Sequence, residues 1–391
     1  MAVTHTRPRL RVLGTSVTLL EQIRRRAERD LDIELEFIIR NAADAQRMAV
    51  MEPEAYDVYD QWFHDIDFVW PARAIQPIDV ARIARWDELT LRARGRTSQG
   101  LLDDDSVPLQ RLFVQPDGNL SAAPSDAISM LPLTHNVDSF VYCDEPLPDG
   151  LTPEEASWGW LLDERFAGRV ALQAEPSIGV LDMALAASAW GMSFGCLGNL
   201  RIEEIDALTA LLQRKRKSGH FTAFWANEAE AMELMASHRV CLQSLWSPAL
   251  MRLHRGRHRY RLARPREGYR AWLGGMSLSC SLHGRALDAA YAYLNWWLDG
   301  WPGAVMARQG YYLSTPERTR QHLTAQEWDY WYVGLPARSG LCDADGVELI
   351  AKGAVREGGS YTSRMSHIGV WNTVMDEHNY LVRQWTRALV E

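Results

Sequence analysis

Few residues in this chain are placed to do chemistry. His135 stands close to Asp138, with Cys143 slightly beyond. They are the only residues from which a nucleophile and an acid–base pair can be drawn. Asp376-Glu377-His378 has the composition of a triad, but neighbours on a helix point in different directions. His254 and His258, four apart, could meet one metal from a helix. They lie, however, in the arginine-dense run Arg252 to Arg266, broken by Gly256, which reads as a solvated loop or edge. The same run would suit docking of an acidic partner. Glu154-Glu155 reads as helix N-terminal charge and Asp103-Asp104-Asp105 as a solvated turn. No dinucleotide fingerprint, Walker loop, nucleophile elbow or zinc-protease helix is written in the sequence. The expectation is a protein that is not an enzyme and carries no cofactor and no metal.

The aromatic residues are a stronger signal. Trp62, Phe63, Trp246, Trp272, Tyr311 and Tyr312 fall at the ends of expected strands or in the connections after them. Residues that only filled a core would scatter through element centres, although core packing remains the competing role for each. Aromatic faces attract organic ammonium groups through the ring quadrupole and stack on flat solutes.

The elements that must position these residues are legible from periodicity. Arg9 to Thr15 reads as a strand, Leu19 to Leu31 as a helix and Ile33 to Ile39 as a strand. Ala42 to Met51 reads as a helix ended by Pro53, and Tyr56 to Tyr59 as a third strand. Strand-helix alternation of this kind predicts a parallel sheet in an α/β layer fold. Ligands bind such sheets at the carboxyl ends of the strands. That edge holds Gly14, Thr15 and Ser16, then Asp60, Gln61, Trp62 and Phe63. Residues 103–127 read as a turn-rich surface excursion, and Ala127 to Phe140 as a strand.

Near Val141 the chain is expected to cross into a second α/β unit. Its elements are a helix start over Glu154 to Leu162, a strand over Arg169 to Gln173 and helices over Ile178 to Ala189 and Ile202 to Lys217. A strand over Phe221 to Phe224, a helix over Ala226 to Ala236 and a strand over Arg239 to Leu245 follow. The chain should recross near Trp272 to Met276 and continue through helices at Ala286 to Leu298 and Gly303 to Gln309. From Thr324 it reads as helical and aromatic-rich.

Composition agrees with two lobes. At 391 residues the chain exceeds one ordinary core. A net charge of −8 argues against a nucleic-acid partner. The five cysteines, Cys143, Cys196, Cys241, Cys280 and Cys342, are widely spaced and read as small buried hydrophobes, with one disulfide open to an exported protein. Val180 to Leu197 is the longest apolar run; Asp182 and its glycines and serines make it a buried helix plus turn rather than a membrane span. No signal peptide is legible before Leu10. That is expected of a cytosolic protein or of one whose export signal has been removed.

Several stretches carry a family likeness. They are Tyr56-Asp57-Val58 through Gln76-Pro77-Ile78-Asp79, Ser157-Trp158 through Val170-Ala171, and Gln243-Ser244-Leu245-Trp246-Ser247-Pro248. Pro265-Arg266-Glu267-Gly268 followed by Trp272, Ala289 to Trp296, and Gln309-Gly310-Tyr311-Tyr312 followed by Thr315-Pro316 continue it. In order and spacing the chain resembles the solute-binding proteins of bacterial ABC importers, in the polyamine-binding (spermidine/putrescine) branch. The resemblance implies a two-lobed type 2 periplasmic-binding fold, with a ligand cleft between lobes joined by two crossing segments. Lobe 1 would comprise residues 9–141 and 274–316, and lobe 2 residues 142–273 and 317–391. It also implies a monomer with a periplasmic location and a membrane permease as partner.

The resemblance has informative departures. The polyamine binders carry an Asp two residues after the Trp matched by Trp272; this chain has Gly274. On the loop matching Glu175 to Gly179 only Glu175 remains of their carboxylates, beside Pro176 and Ser177. A buried, unpaired ammonium is costly, so weak or absent spermidine binding is expected. Arg364 falls roughly where the family contacts ligand and would suit an anionic group. The expected ligand is a small nitrogen-containing organic solute. Its expected contacts are Thr15, Ser16, Gln61, Trp62, Phe63, His135, Asn136, Asp138, Glu175, Ser177, Trp246, Trp272, Tyr311, Tyr312 and Arg364. The alternative is an enzyme or a cytosolic ligand sensor on the same fold.

Overall fold

The structure, a computed structural model, describes residues 7–90, 108–144, 146–256, 259–343, 346–373 and 375–390. Asp103-Asp104-Asp105 and His258 lie outside the described residues.

In the first half, β1 (Arg9–Gly14), α1 (Glu21–Leu31), β2 (Glu34–Ile39), α2 (Ala42–Met51) and β3 (Val58–Trp62) alternate as the apolar spacing requires. β1 pairs in parallel with both β2 and β3. Asn41 caps α2, its side chain accepting from the Asp44 N–H. The long strand β4 (Leu131–Cys143) is buried along its whole length.

The second half contains β5 (Val170–Gln173), α3 (Pro176–Ala189), α4 (Ile202–Lys217), β6 (Phe221–Trp225), α5 (Glu228–Ala236) and β7 (Leu242–Leu245). α6 (Ser247–Arg255) and a second long buried strand, β8 (Tyr269–Ser279), follow. β5 pairs in parallel with β6 and β7. The chain then forms α7 (Gly284–Leu298), α8 (Trp301–Ala307), β9 (Ile368–Trp371) and the closing helix α9 (His378–Val390).

The main sheet runs β6-β5-β7-β4-β8-β3-β1-β2. β4 and β8 are its antiparallel centre and the two crossing segments. β4 pairs with β8 over Leu131 to Asp138 and with β7 over Ser139 to Tyr142. One core gathers side chains from Leu10 to Val137 and from Tyr269 to Leu313, joined by Met365, Ile368 and Trp371 from the C-terminal part expected in the second lobe. A second gathers Phe140 to Ala263, closed by Leu381, Trp385 and Ala388 of α9. A smaller cluster joins Met251, Ala307 and Tyr312 to Tyr330, Trp331 and Tyr332.

Several expectations need correction. Glu154 to Leu162 does not start an α-helix. It makes two 3₁₀ turns, Pro153–Glu155 and Trp158–Leu162, interrupted where the Ser157 backbone is extended. There the Glu267 carboxylate accepts from Ser157 Oγ at 2.5 Å and Trp158 N–H at 3.0 Å, so two of the family-like motifs meet. The described part of the excursion at 103–127 is not merely surface. Its Phe113–Val114 and Leu120–Ser121 strands join a small antiparallel sheet, with Leu109, Leu112 and Phe113 buried. After Thr324 the chain is only partly helical, with a short hairpin of Leu341–Cys342 and Glu348–Ile350. His254 sits at the end of α6 rather than in a loop, 2.6 Å from the Tyr260 carbonyl oxygen. Cys143 and Cys241 are buried as expected of small hydrophobes, whereas Cys280 and Cys342 are exposed. Among the described residues no helix is long and apolar enough to cross a membrane.

Candidate functional site

Four parallel strands, two per lobe, end towards one gap. Val17 follows β1, Trp62 ends β3, Ile178 follows β5 and Trp246 follows β7. All four line a cavity of about 30 Å³, together with Asp138, Arg270, Trp272, Tyr311 and Asn372. An adjoining cavity of about 10 Å³ shares Val17, Trp62 and Trp272 and adds Thr15, Thr18, Asp60, Gln61, Thr134 and Gly274. Together they form one narrow slot between the lobes. Its size lies far below the roughly 300–1,000 Å³ of ligand pockets.

Strand alternation explains this membership. Side chains two apart share a face. Asp60 and Trp62 on β3, Thr134 and Asp138 on β4, and Arg270, Trp272 and Gly274 on β8 therefore all border the slot. The aromatic walls are braced from behind. Trp246 meets Trp225 edge-on at 5.6 Å, Trp272 meets Tyr311 edge-on at 5.3 Å, and Trp62 stacks on His64 at 6.1 Å.

The two ends differ in charge. At one end Asp60 is buried and receives a short hydrogen bond from the Thr18 hydroxyl. Among the described residues it has no cationic partner within ion-pair distance. Burial pushes its carboxyl up to about 7, against the pull of that hydroxyl. At the other end Arg270 is almost wholly buried. Its Nε lies 2.9 Å from Asp182 Oδ1 and its Nη1 3.7 Å from Asp138 Oδ2. Burial raises Asp138 to about 6, with the Arg270 charge working the other way.

The slot thus gathers Thr15, Trp62, Asp138, Trp246, Trp272 and Tyr311, with Gln61 at its edge. Gln61 turns its side chain to the opposite face and donates to Ser277 Oγ at 2.9 Å. Ser16 lies at the mouth, in a cavity of about 290 Å³ that it shares with Arg252 and Tyr311.

The remaining expected contacts lie off the slot, each for a local reason. Phe63 turns into the first core. His135, odd-numbered on β4, faces away and bonds Tyr361 OH at 3.0 Å, while Tyr312 packs beside it. His135 and Asp138 consequently lie on opposite faces and form no acid–base pair. Burial drops His135 to about 3. Asn136 spends its amide on Ser247 Oγ at 3.2 Å. Glu175 and Ser177 stand at the start of α3, off the slot, and burial raises the Glu175 carboxyl with the His64 charge working the other way. Arg364 holds the Val137 carbonyl oxygen at 2.9 Å and borders a different cavity.

Asp60 stands on the expected ligand edge but not among the expected contacts, and Val17, Thr18, Thr134, Ile178, Arg270 and Asn372 line the slot without having been expected there. Two had a signal: Asp60 is two before Trp62, and Arg270 two before Trp272.

Replacing Trp272 by Ala is expected to weaken solute binding by about 1–3 kcal/mol, as for aromatic hot spots, with a smaller change in unliganded stability. Trp272 is buried in the closed molecule but borders both halves of the slot. Titration calorimetry beside unliganded melting checks this. A large melting drop with unchanged affinity would make it a packing residue.

No protein-family model matches the sequence, and no curated protein matches it. Solved structures do. The spermidine/putrescine ABC transporter substrate-binding protein PotD from Streptococcus pneumoniae is 14% identical, with 98% of this chain and 99% of that one covered and a TM-score of 0.63. An ABC transporter substrate-binding protein from Bradyrhizobium japonicum is 14% identical, with 98% and 99% covered and a TM-score of 0.62. The periplasmic binding protein AfuA from Actinobacillus pleuropneumoniae, bound to fructose-6-phosphate, is 12% identical, with 98% and 99% covered and a TM-score of 0.59. The fold is the two-lobed one of periplasmic binding proteins.

Proposed function

We propose that this protein is the solute-binding component of an ABC importer and captures a small organic amine between its lobes. The observation that carries this reading is Asp60: a buried carboxylate without a cationic partner among the described residues, in one slot with Trp62 and Trp272. A carboxylate so placed is costly unless a ligand supplies a cation, and the aromatic faces beside it suit the same cation. Neighbours of the same fold are transporter binding proteins, which supports a permease as partner and a periplasmic location. The protein acts as a monomer that captures and delivers, without catalysis and without a nucleic-acid partner.

The charge pattern favours one ammonium group over several. Asp138, the other carboxylate on the slot, already faces Arg270. Gly274 leaves no room for a further one: a Cβ there would come within 2.9 Å of Thr134 Oγ1 and 3.3 Å of the Gln61 carbonyl oxygen. A calorimetric screen of primary and quaternary monoamines, betaines and spermidine tests the proposal. A monoamine should bind and spermidine weakly or not at all. Sub-micromolar spermidine binding would overturn the single-ammonium assignment; a chain that binds no amine of any kind would overturn the solute class.

A further inference from the structure

A cavity far larger than the interlobe slot lies elsewhere in the described structure. A space of about 690 Å³ opens between α6 and residues 348–357, with Tyr330, Trp331, Arg356 and Arg364 on its walls. Ser247 packed on Gly310 divides it from the slot: a Cβ on Gly310 would come within 2.9 Å of the Ser247 Cβ. Its volume falls within the roughly 300–1,000 Å³ of small-molecule sites.

Its charge is unusual. Arg356 is 6% exposed and Arg364 is 2% exposed. Arg356 donates to the carbonyl oxygens of Trp331 and, at 2.9 Å, Gly310. Arg364 donates to the carbonyl oxygens of Glu357 and Val137, each at 2.9 Å, and more weakly to Asn136 Oδ1 at 3.4 Å. The Arg364 Nε is buried with no hydrogen-bond acceptor among the described residues. Neither guanidinium lies within ion-pair distance of a carboxylate among the described residues. Ring faces of Tyr312, Trp331 and Tyr269 lie against them. Carbonyls and rings supply dipoles and quadrupoles but no negative charge. Two carboxylates stand on the wall, Glu348 and Glu357, neither within ion-pair distance of Arg356 or Arg364, and Glu357 accepts instead from the Leu262 N–H at 2.9 Å. Two buried cations share one cavity with no carboxylate in direct contact, which is costly, and a ligand anion between them offsets that cost.

We propose that this cavity is a second binding site, taking a small organic carboxylate with an aromatic or aliphatic body. The guanidiniums supply the donors that a carboxylate oxygen accepts. Leu250, Ile350, Val355 and the Tyr330–Trp331 pair supply apolar walls for the body. This site is separate from the amine slot and stands whether or not that assignment holds.

Phenylacetate and its neutral isostere phenylacetamide are the probes, titrated by calorimetry against the whole chain. Saturable phenylacetate binding is expected, with phenylacetamide about tenfold weaker or more, the loss of one charge-assisted pair. Arg356→Gln should weaken phenylacetate by a similar factor. Should that variant fail to fold, Val355→Trp reads the same site. Val355 is 59% exposed, so a larger side chain fills the cavity mouth while unliganded melting stays near that of the wild type. Loss of phenylacetate binding in Val355→Trp supports the site. Absence of saturable binding, equal binding of acid and amide, or undiminished binding in Val355→Trp would each overturn it.

Discussion

Asp60→Asn is expected to abolish amine capture while making the empty protein more stable at neutral and higher pH. Removing one member of a buried charge pair costs on the order of 2–5 kcal/mol of binding, which is about 30-fold or more in affinity. The stability effect has the opposite sign because the Asp60 carboxyl is raised to about 7 by burial. In an unfolded chain it ionises near 4. Between these values the folded protein holds a proton that the unfolded chain has released. Stability from this group is therefore complete below about pH 4 and lost as pH rises towards 7. Asparagine stays neutral throughout and can still accept from the Thr18 hydroxyl. Melting curves of the two proteins should coincide at low pH and separate above it, with the variant higher. The slot's other raised carboxyl, Asp138, is present in both and cancels in the comparison. Amine affinity of the wild type should rise with pH up to about 7 and then level, and the variant should show no such rise. An Asp60→Asn protein with wild-type affinity, or one less stable at pH 8, would remove Asp60 from the site.

Asp182→Ala is expected to cost about 3–5 kcal/mol of stability, the usual consequence of leaving a buried charge without its partner. Asp182 belongs to α3 and Arg270 to β8, and both are almost completely buried. Their 2.9 Å contact ties a helix packed in the second core to a strand that crosses between lobes. Asp138 stands 3.7 Å from the same guanidinium and replaces Asp182 poorly. The double replacement Arg270→Met with Asp182→Leu should recover most of the loss, since well-packed apolar residues of similar volume often match a buried pair. Urea unfolding of the single and double variants gives the coupling energy. A single variant within about 0.5 kcal/mol of wild type, the range of surface substitutions, would mean that the pair does not hold the lobes' junction.

The strand-helix alternation of the first 62 residues was legible because both periods, 2 and 3.6, were cleanly written in apolar residues. So was the rule that carries Val17, Trp62, Ile178 and Trp246 to one gap: each follows or ends a parallel strand. The segment after Trp158 was less so, because Trp, Gly and Leu in succession fit a helix, yet the chain there is shaped by a carboxylate over a hundred residues away, Glu267. What the sequence by itself determined was the α/β layering, which follows from local periodicity and chain order; of the six aromatics it places at strand ends, Trp62, Trp246, Trp272 and Tyr311 border the slot while Phe63 and Tyr312 pack into cores. Only the tertiary structure decided which polar side chains face the slot. A strand's register turns His135 away and Asp138 inward, and the spatial neighbours of Asp60 and Arg270 decide that one is without a counter-ion and the other paired. Charge balance depends on distances between residues far apart in the chain, and no local pattern encodes those distances.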